Sequence, residues 1–216
     1  MGDPVLEVDD LSVRFRLKRG ELTAVDGVSF RVDRRETFGL VGESGSGKSV
    51  TARAIMRLIP TPPGEIARGS IRFEGDDVLD LSDAEMRSLR GRRIAMVFQE
   101  PMSALNPVFT VHDQIADALR SNLGLSRRAA RERVIELLAL VGIPSPARRV
   151  DSYVHEFSGG QRQRVMLAMA LSCNPDFLIA DEPTTALDVT IQATILELIT
   201  DMIERLDMSL VFITHN

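Results

Sequence analysis

One cysteine stands in 216 residues. Cys173 has no partner for an internal disulfide, which suits a reducing compartment; its expected role is a small buried apolar side chain. No apolar run approaches the roughly 20 residues that a membrane-spanning helix needs, so any membrane association is expected to come through a protein partner. The opening Met1-Gly2-Asp3-Pro4 has neither the basic region nor the apolar stretch of a secretory signal. Leu6 occupies the position where an N-myristoylation pattern requires Ser or Thr. Positive charge is in deficit: 26 Lys and Arg against 31 Asp and Glu leave a net charge of −5, which speaks against a nucleic-acid surface. Internal repeats and low-complexity tracts are absent. What remains is 44% hydrophobic and 26% charged, the composition of a soluble globular chain long enough for one domain with a substantial core.

Hydrophobic spacing places the elements. Val5 to Val13 and Val25 to Val32 read as short strands around a charged turn, Lys18 to Glu21. Thr37 to Val41 reads as a buried strand running into a glycine-rich loop. Beyond it, the run from Val50 to Ile59 has helical spacing and is expected to stop at Pro60. Ile71 and Phe73 alternate as a strand. Ser82 with Glu85 makes a capping box for a short helix ending near Gly91. Ile94 to Phe98 reads as a buried strand that delivers Gln99 at its carboxyl end. From Pro101 to Gly142 the pattern is helical throughout, with stripes at Val111, Ile115, Ala118 and Leu119, and at Val134, Leu137, Leu138 and Val141. A helix after Ser158, a strand to Ala180, a helix from about Val189 to Leu206 and a strand from Leu210 to Ile213 complete the chain. Strands alternating with helices imply a parallel sheet, here interrupted by an all-helical insertion.

Two phosphate-handling stretches fall within this frame. Gly42 to Ser49, GESGSGKS, fits the P-loop pattern between a strand and a helix. Its backbone N–H groups can curl around phosphate oxygens at the positive end of the helix, with Ser44, Gly45, Ser46 and Gly47 forming the loop. Lys48 would supply a point charge to the β- and γ-phosphates, and Ser49 a hydroxyl to Mg²⁺. Far downstream, Phe157 to Gln161 (FSGGQ) precedes an apolar run that ends in the acidic pair Asp181-Glu182.

P-loop, SGGQ element and acidic pair, in that order, resemble the ATP-binding cassette (ABC) ATPases, over nearly the whole chain. The resemblance implies an α/β P-loop NTPase fold: an ABC-type nucleotide-binding domain with an N-terminal antiparallel β region and an inserted helical subdomain. The implied division is 1–99 for the β region and P-loop part, 100–165 for the helical signature subdomain, and 166–216 for the rest of the core. It also implies roles. Asp181 resembles the Walker B aspartate that holds the Mg²⁺ shell, and Glu182 the general base beside it. Gln99 resembles the Q-loop glutamine, an Mg²⁺ ligand and γ-phosphate sensor, followed by residues that contact a transmembrane partner. Ser158, Gly159, Gly160 and Gln161 resemble the signature that faces the ATP of the other protomer. Ala186-Leu187-Asp188 resembles the D-loop, and His215 the switch histidine. Phe15 falls where the family places an adenine-stacking aromatic; a buried core phenylalanine is the rival reading. His112 and His155 match no motif, Arg162 and Arg164 read as solvated or structural, and Arg127, Arg128, Arg131 and Arg133 as a solvated helix face.

Within the family, QEPMSALNPVFTVHDQI (from Gln99) and DEPTTALDVTIQATILELI (from Asp181) are similar to the ATPase subunits of dipeptide, oligopeptide and nickel importers. That resemblance implies an ATP- and Mg²⁺-dependent ATPase on the cytoplasmic face of the inner membrane. Its partners would be two permeases, a second ABC ATPase subunit and, indirectly, an extracytoplasmic solute-binding protein, with no nucleic acid. A soluble ABC ATPase of translation, repair or metabolism is the alternative, and a non-enzymatic module the third reading. Family members continue past the switch histidine, so further helices and a C-terminal extension are expected beyond Asn216.

Overall fold

The computed structural model describes residues 4–185 and 189–215, with Thr190 described by its backbone alone. The chain begins with β1 (Pro4–Leu17), β2 (Gly20–Asp33), β3 (Thr37–Val41), α1 (Lys48–Ile55), β4 (Gly64–Phe73), β5 (Asp76–Asp77) and α2 (Asp83–Leu89). Then come β6 (Ile94–Val97), α3 (Pro101–Ala104), α4 (Val111–Leu123), α5 (Arg127–Leu140), α6 (Pro146–Arg149) and a 3₁₀ turn, Val154–Glu156. It ends with α7 (Gly159–Ala170), β7 (Phe177–Asp181), α8 (Val189–Leu206) and β8 (Ser209–Thr214). These elements form two compact units: one holds the residues up to Arg90 together with those from Met208 onward, the other Gly91–Asp207.

In the first unit β1 lies between β2 and β4, antiparallel to both. The strands are longer than the expected Val5–Val13 and Val25–Val32. Leu17 pairs with Gly20, so the turn shrinks to Lys18-Arg19. The pairing holds because Phe15, Arg16 and Leu17 continue the ladder against Leu22, Glu21 and Gly20 past the last buried valine. Leu6, Leu11, Val13 and Ile71 are fully buried and form the floor of this sheet. β4 likewise extends well before Ile71, and Gly64 lies opposite Phe15. A separate parallel pair, β3 with β8, runs in register from Thr37↔Leu210 to Val41↔Thr214.

Helix α1 ends at Ile55, short of the expected stop at Pro60. Arg57 takes a left-handed φ of 47° and its guanidinium donates to the carbonyls of Val78 and Leu81. Arg90 donates to the carbonyls of Met56 (2.8 Å) and Arg57 (2.7 Å), satisfying acceptors that a longer helix would have used. The capping box of α2 is present: Ser82 Oγ accepts from Glu85 N, and the Glu85 carboxylate accepts from Ser82 N at 2.8 Å.

The second unit contains the parallel pair β6–β7, paired from Ile94↔Phe177 to Val97↔Ala180. Every residue of β7 is buried, as its unbroken apolar run requires. The helical stretch expected from Pro101 to Gly142 is divided. A loop, residues 105–110, separates α3 from α4, and Gly124 at φ 66° ends α4. Cys173 is buried, as expected of a small apolar side chain. Arg162 donates to the carbonyls of Val154 and His155, and Arg164 to that of Val141, so both are structural.

Candidate nucleotide-handling site

Each parallel pair ends in a cluster of candidate residues. In the first unit, Val41 and Thr214 are register partners, so the P-loop and His215 leave adjacent strand ends together. Carboxyl ends of parallel strands are where open α/β sheets bind ligands. Gly47 is the N-cap of α1 at φ 91°, ψ 2°, and no side chain caps the helix. A glycine N-cap places no side chain over the first turn, and the N–H groups at a helix start are the usual cradle for an anion. Lys48 is only 8% exposed, and its Nζ donates to the carbonyl oxygens of Gly42 (2.7 Å) and Glu43 (2.8 Å). The ammonium is thus held within the loop it serves, with two of its three donors on backbone. Thr51 fastens the turn through Oγ1 to the Gly47 carbonyl at 3.1 Å. Phe15, half-buried on β1, has its ring edge against Gly64, where a Cβ would approach Phe15 Cε1 to 2.9 Å.

In the second unit, β6 and β7 deliver Gln99 and the pair Asp181-Glu182 to the same strand ends. Gln99 Nε2 donates to Glu182 Oε2 at 3.0 Å. The same oxygen accepts from Thr185 Oγ1 at 2.8 Å. Glu182 sits at φ 45°, a left-handed conformation that costs a non-glycine residue about 1–2 kcal/mol. Such strain persists only where the surroundings over-determine it, and it concentrates at functional sites. Asp181, one residue earlier, is 2% exposed at the end of its strand.

The donors Ser49, Gln99 and Asp181 are a hydroxyl, an amide carbonyl and a carboxylate. These hard oxygen ligands suit Mg²⁺, which is normally bound by one or two carboxylates with substrate phosphates and water. Among the described residues no group of three or more His, Cys, Asp and Glu forms a protein-only cage. By their chemistry, a hydroxyl, an amide carbonyl and a carboxylate are donors that Mg²⁺ takes together with phosphate oxygens and water.

Ser158, Gly159, Gly160 and Gln161 open α7. Ser158 Oγ accepts from Gln161 N (3.4 Å), and Gln161 Oε1 accepts from Ser158 N (3.1 Å), a reciprocal capping box. Gly160 is buried where a Cβ would lie 2.8 Å from Ile191 Cγ2, so α7 and α8 touch through a glycine. Within the first unit the structure brings the P-loop and His215 to adjacent strand ends, and within the second it brings Gln99 onto Glu182, beside Asp181. Asp188, with the rest of its D-loop stretch, lies outside the described residues.

Residues 25–185 match the family described as ABC transporter. The chain belongs to the ABC transporter family. This ABC cassette is 56% identical over 212 residues to the oligopeptide transport ATP-binding protein OppD of Bacillus subtilis, covering 98% of this chain and 59% of that protein. It is 52% identical to the dipeptide transport ATP-binding protein DppD of the same organism, covering 99% of this chain and 64% of the relative. The chain thus spans less than two thirds of either relative's length. A dimeric ATP-binding cassette in a post-hydrolysis state, bound to ADP and Pi, superposes with a TM-score of 0.86 at 27% identity, covering 98% of this chain and 88% of that one.

Two features of the ABC cassette escaped the sequence reading. Thr185, which shares Glu182 with Gln99, follows the acidic pair by three residues; its signal was a hydroxyl within one turn of the base. Gln114 holds the loop before α4 through four hydrogen bonds, and nothing local in the sequence marks it.

Proposed function

We propose that the chain is the ATP-hydrolysing part of an importer that takes up peptides or a related small solute. The observation that carries the ATPase reading is Glu182: a carboxylate at the end of a buried strand, held by Gln99 and Thr185 in a left-handed backbone. In this reading ATP is the substrate. Lys48 and the loop N–H groups of Gly45, Ser46 and Gly47 bind its phosphates, and Phe15 stacks on the base. Ser49, Gln99 and Asp181 would hold Mg²⁺, which when bound would supply charge neutralisation at the phosphate oxygens. Glu182 aligns a water and accepts its proton as the oxygen attacks the γ-phosphorus; the bridging oxygen departs with ADP. His215 orients the γ-phosphate, and Asp188 carries the signal between protomers. Ser158 to Gln161 bind the ATP of a second cassette, so turnover belongs to a dimer.

The cargo class is supported by the names of the relatives, peptide transport proteins at 52–56% identity. Among the described residues no helix is long and apolar enough to cross a membrane. Two permeases would therefore hold the protein at the cytoplasmic face, with a solute-binding protein acting outside. The exposed apolar residues Met102 and Val108, 44% and 70% exposed in the segment after Gln99, suit contact with such a partner.

Glu182→Gln in the full-length protein tests the chemistry. ATP affinity is expected to stay while turnover falls about 10²–10⁴-fold, the weight of a general base. Wild-type turnover would remove Glu182 from the mechanism. Lys48→Ala is expected to weaken nucleotide binding itself, read by titration with a fluorescent ATP analogue; unchanged affinity would count against the P-loop assignment.

A further inference from the structure

Four polar side chains follow one another near the start of α7, and three of them are fastened. Gln161 Oε1 accepts from Ser158 N at 3.1 Å, Arg162 donates to the carbonyls of Val154 and His155, and Arg164 donates to that of Val141. Gln163 stands between the two arginines and is only 2% exposed. Its Nε2 is fully enclosed, yet among the described residues this amide nitrogen, with two N–H donors, meets no acceptor. Buried polar groups are almost always paired, because an amide without a partner in a dry interior destabilises the fold. A methionine of similar length would fill the place and leave no donor stranded. A residue that breaks this rule beside a site points to a role in that site.

Gln163 lies beside two such places. Gly160, Gln163 and Leu167 are spaced i, i+3 and i+7 on α7 and all three are buried, so they share one face. At Gly160 that face meets Ile191 of α8, whose Cγ2 would lie 2.8 Å from a Cβ. Helical side chains lean toward the helix N-terminus, which for Gln163 is the side of the SGGQ turn. From Ile191 the connection continues to Glu182. The next residue, Gln192, donates from Nε2 to the carbonyl of Thr184 at 3.0 Å. Thr185 donates through Oγ1 to Glu182 Oε2 at 2.8 Å, and its N–H reaches the Glu182 carbonyl at 3.3 Å. The contact between α7 and α8 thus joins the SGGQ turn to the turn 182–185, and Gln163 belongs to the α7 face that makes it. Backbone carbonyls of that turn are acceptors of the kind the amide needs, and each oxygen has two lone pairs.

Resting on the ATPase reading above, we infer that Gln163 is a positioning residue for hydrolysis. When ATP is clamped at the SGGQ turn, α7 shifts against α8 and Gln163 Nε2 takes a backbone carbonyl of the turn 182–185. The new bond fixes that turn, and with it the Glu182 carboxylate against the attacking water. An interaction made in one conformation and not in the other biases the equilibrium toward the first. The unpaired amide of the present conformation therefore favours the clamped one, and it ties occupation of SGGQ to the base carried by the same chain.

The test uses the full-length protein, with melting read on the subunit and ATP turnover on the assembly it forms with its partners. Gln163→Met, with Gln163→Leu as a second apolar variant, is expected to raise the melting temperature by about 2–4 °C, because a buried unpaired amide is removed. The same variants should lower kcat about tenfold while KM for ATP stays within about twofold. A stabilised protein that turns over more slowly is a result that a merely structural residue does not give. In a Glu182→Gln background, Gln163→Met should cost less than about a further twofold, because Gln163 acts through Glu182. Wild-type turnover in both variants overturns the inference, since the amide would then be idle. A lowered melting temperature in both, or failure of both to fold, overturns it too, because the amide would then be paired before ATP is clamped. A further loss of about tenfold in the Glu182→Gln background overturns the route through Glu182. If the wild-type protein itself hydrolyses no ATP, the ATPase reading fails and the inference falls with it.

Discussion

At Gly47 two constraints coincide. The backbone stands at φ 91°, and a Cβ built there would lie 2.4 Å from the carbonyl oxygen of Ala24 on β2. Gly45 shares the positive φ, 82°, but nothing lies within 4 Å of its Cβ position. The same substitution should therefore act differently at two positions of one loop. Gly45→Ala costs the conformational strain alone, about 1–2 kcal/mol. Gly47→Ala adds overlap with a backbone carbonyl of β2, at the register shift between Val25 and Thr23, so the start of α1 must move and the phosphate cradle with it. Thermal melts of the two variants with nucleotide titrations are expected to show a modest shift and retained binding for Gly45→Ala. Gly47→Ala should show a larger destabilisation and lost binding. Similar behaviour of the pair would mean that Ala24 does not support the loop. The glycine pattern was legible in the sequence because phosphate contact constrains neighbouring residues. Ala24 was not, because the constraint comes from another strand through tertiary packing.

The same division holds at the scale of elements. Strands that end in chemistry were readable: Thr37–Val41 into the P-loop, Ile94–Val97 into Gln99, and Phe177–Asp181 into Glu182. Ile94–Val97 and Phe177–Asp181 are buried throughout, and burial in a parallel pair leaves that mark. Thr37–Val41, expected to be buried, holds no buried residue and was readable through the glycine-rich loop it enters. Helix ends were less readable. Helix α1 stops where Arg57 and Arg90 satisfy backbone carbonyls, and Arg90 is remote in sequence from the carbonyls it caps. The SGGQ turn carries both kinds of information. Its capping box is local, from Ser158 to Gln161, whereas the need for glycine at 160 comes from Ile191 on α8. Gly160→Ala would bring its methyl to 2.8 Å from Ile191 Cγ2, an atom on a stiff β-branched side chain. Overpacking of this kind costs about 1–3 kcal/mol. It should push α8 away from α7 without touching the P-loop. The expected outcome is a lowered melting temperature with nucleotide affinity retained; an unshifted melt would show that the two helices part freely at this point.

For the molecule as a whole, acid should act in two separable ways. The 216 residues carry a net charge of −5 at neutral pH, with a pI near 5.3, so approach to that pH removes the repulsion that keeps copies apart. Fold stability depends on other groups. The Arg131 guanidinium holds the Asp151 carboxyl below its usual range through paired hydrogen bonds of 2.7 and 2.6 Å. Hydrogen bonding to the Thr110 side chain and to His112 does the same for Asp113. A carboxylate depressed in the folded state stabilises the fold fully above its unfolded pKa, about 3.9. That contribution is lost as pH falls through the lower folded value. Both groups are solvent-exposed, so each contributes at most about 1 kcal/mol. Light scattering is therefore expected to rise near pH 5.3 while circular dichroism and the melting temperature hold. Asp151→Asn should lower the melting temperature slightly at neutral pH and converge with wild type below about pH 3.9. A constant difference between the two across that range would mean that the Arg131–Asp151 pair contributes through packing and not through its charge.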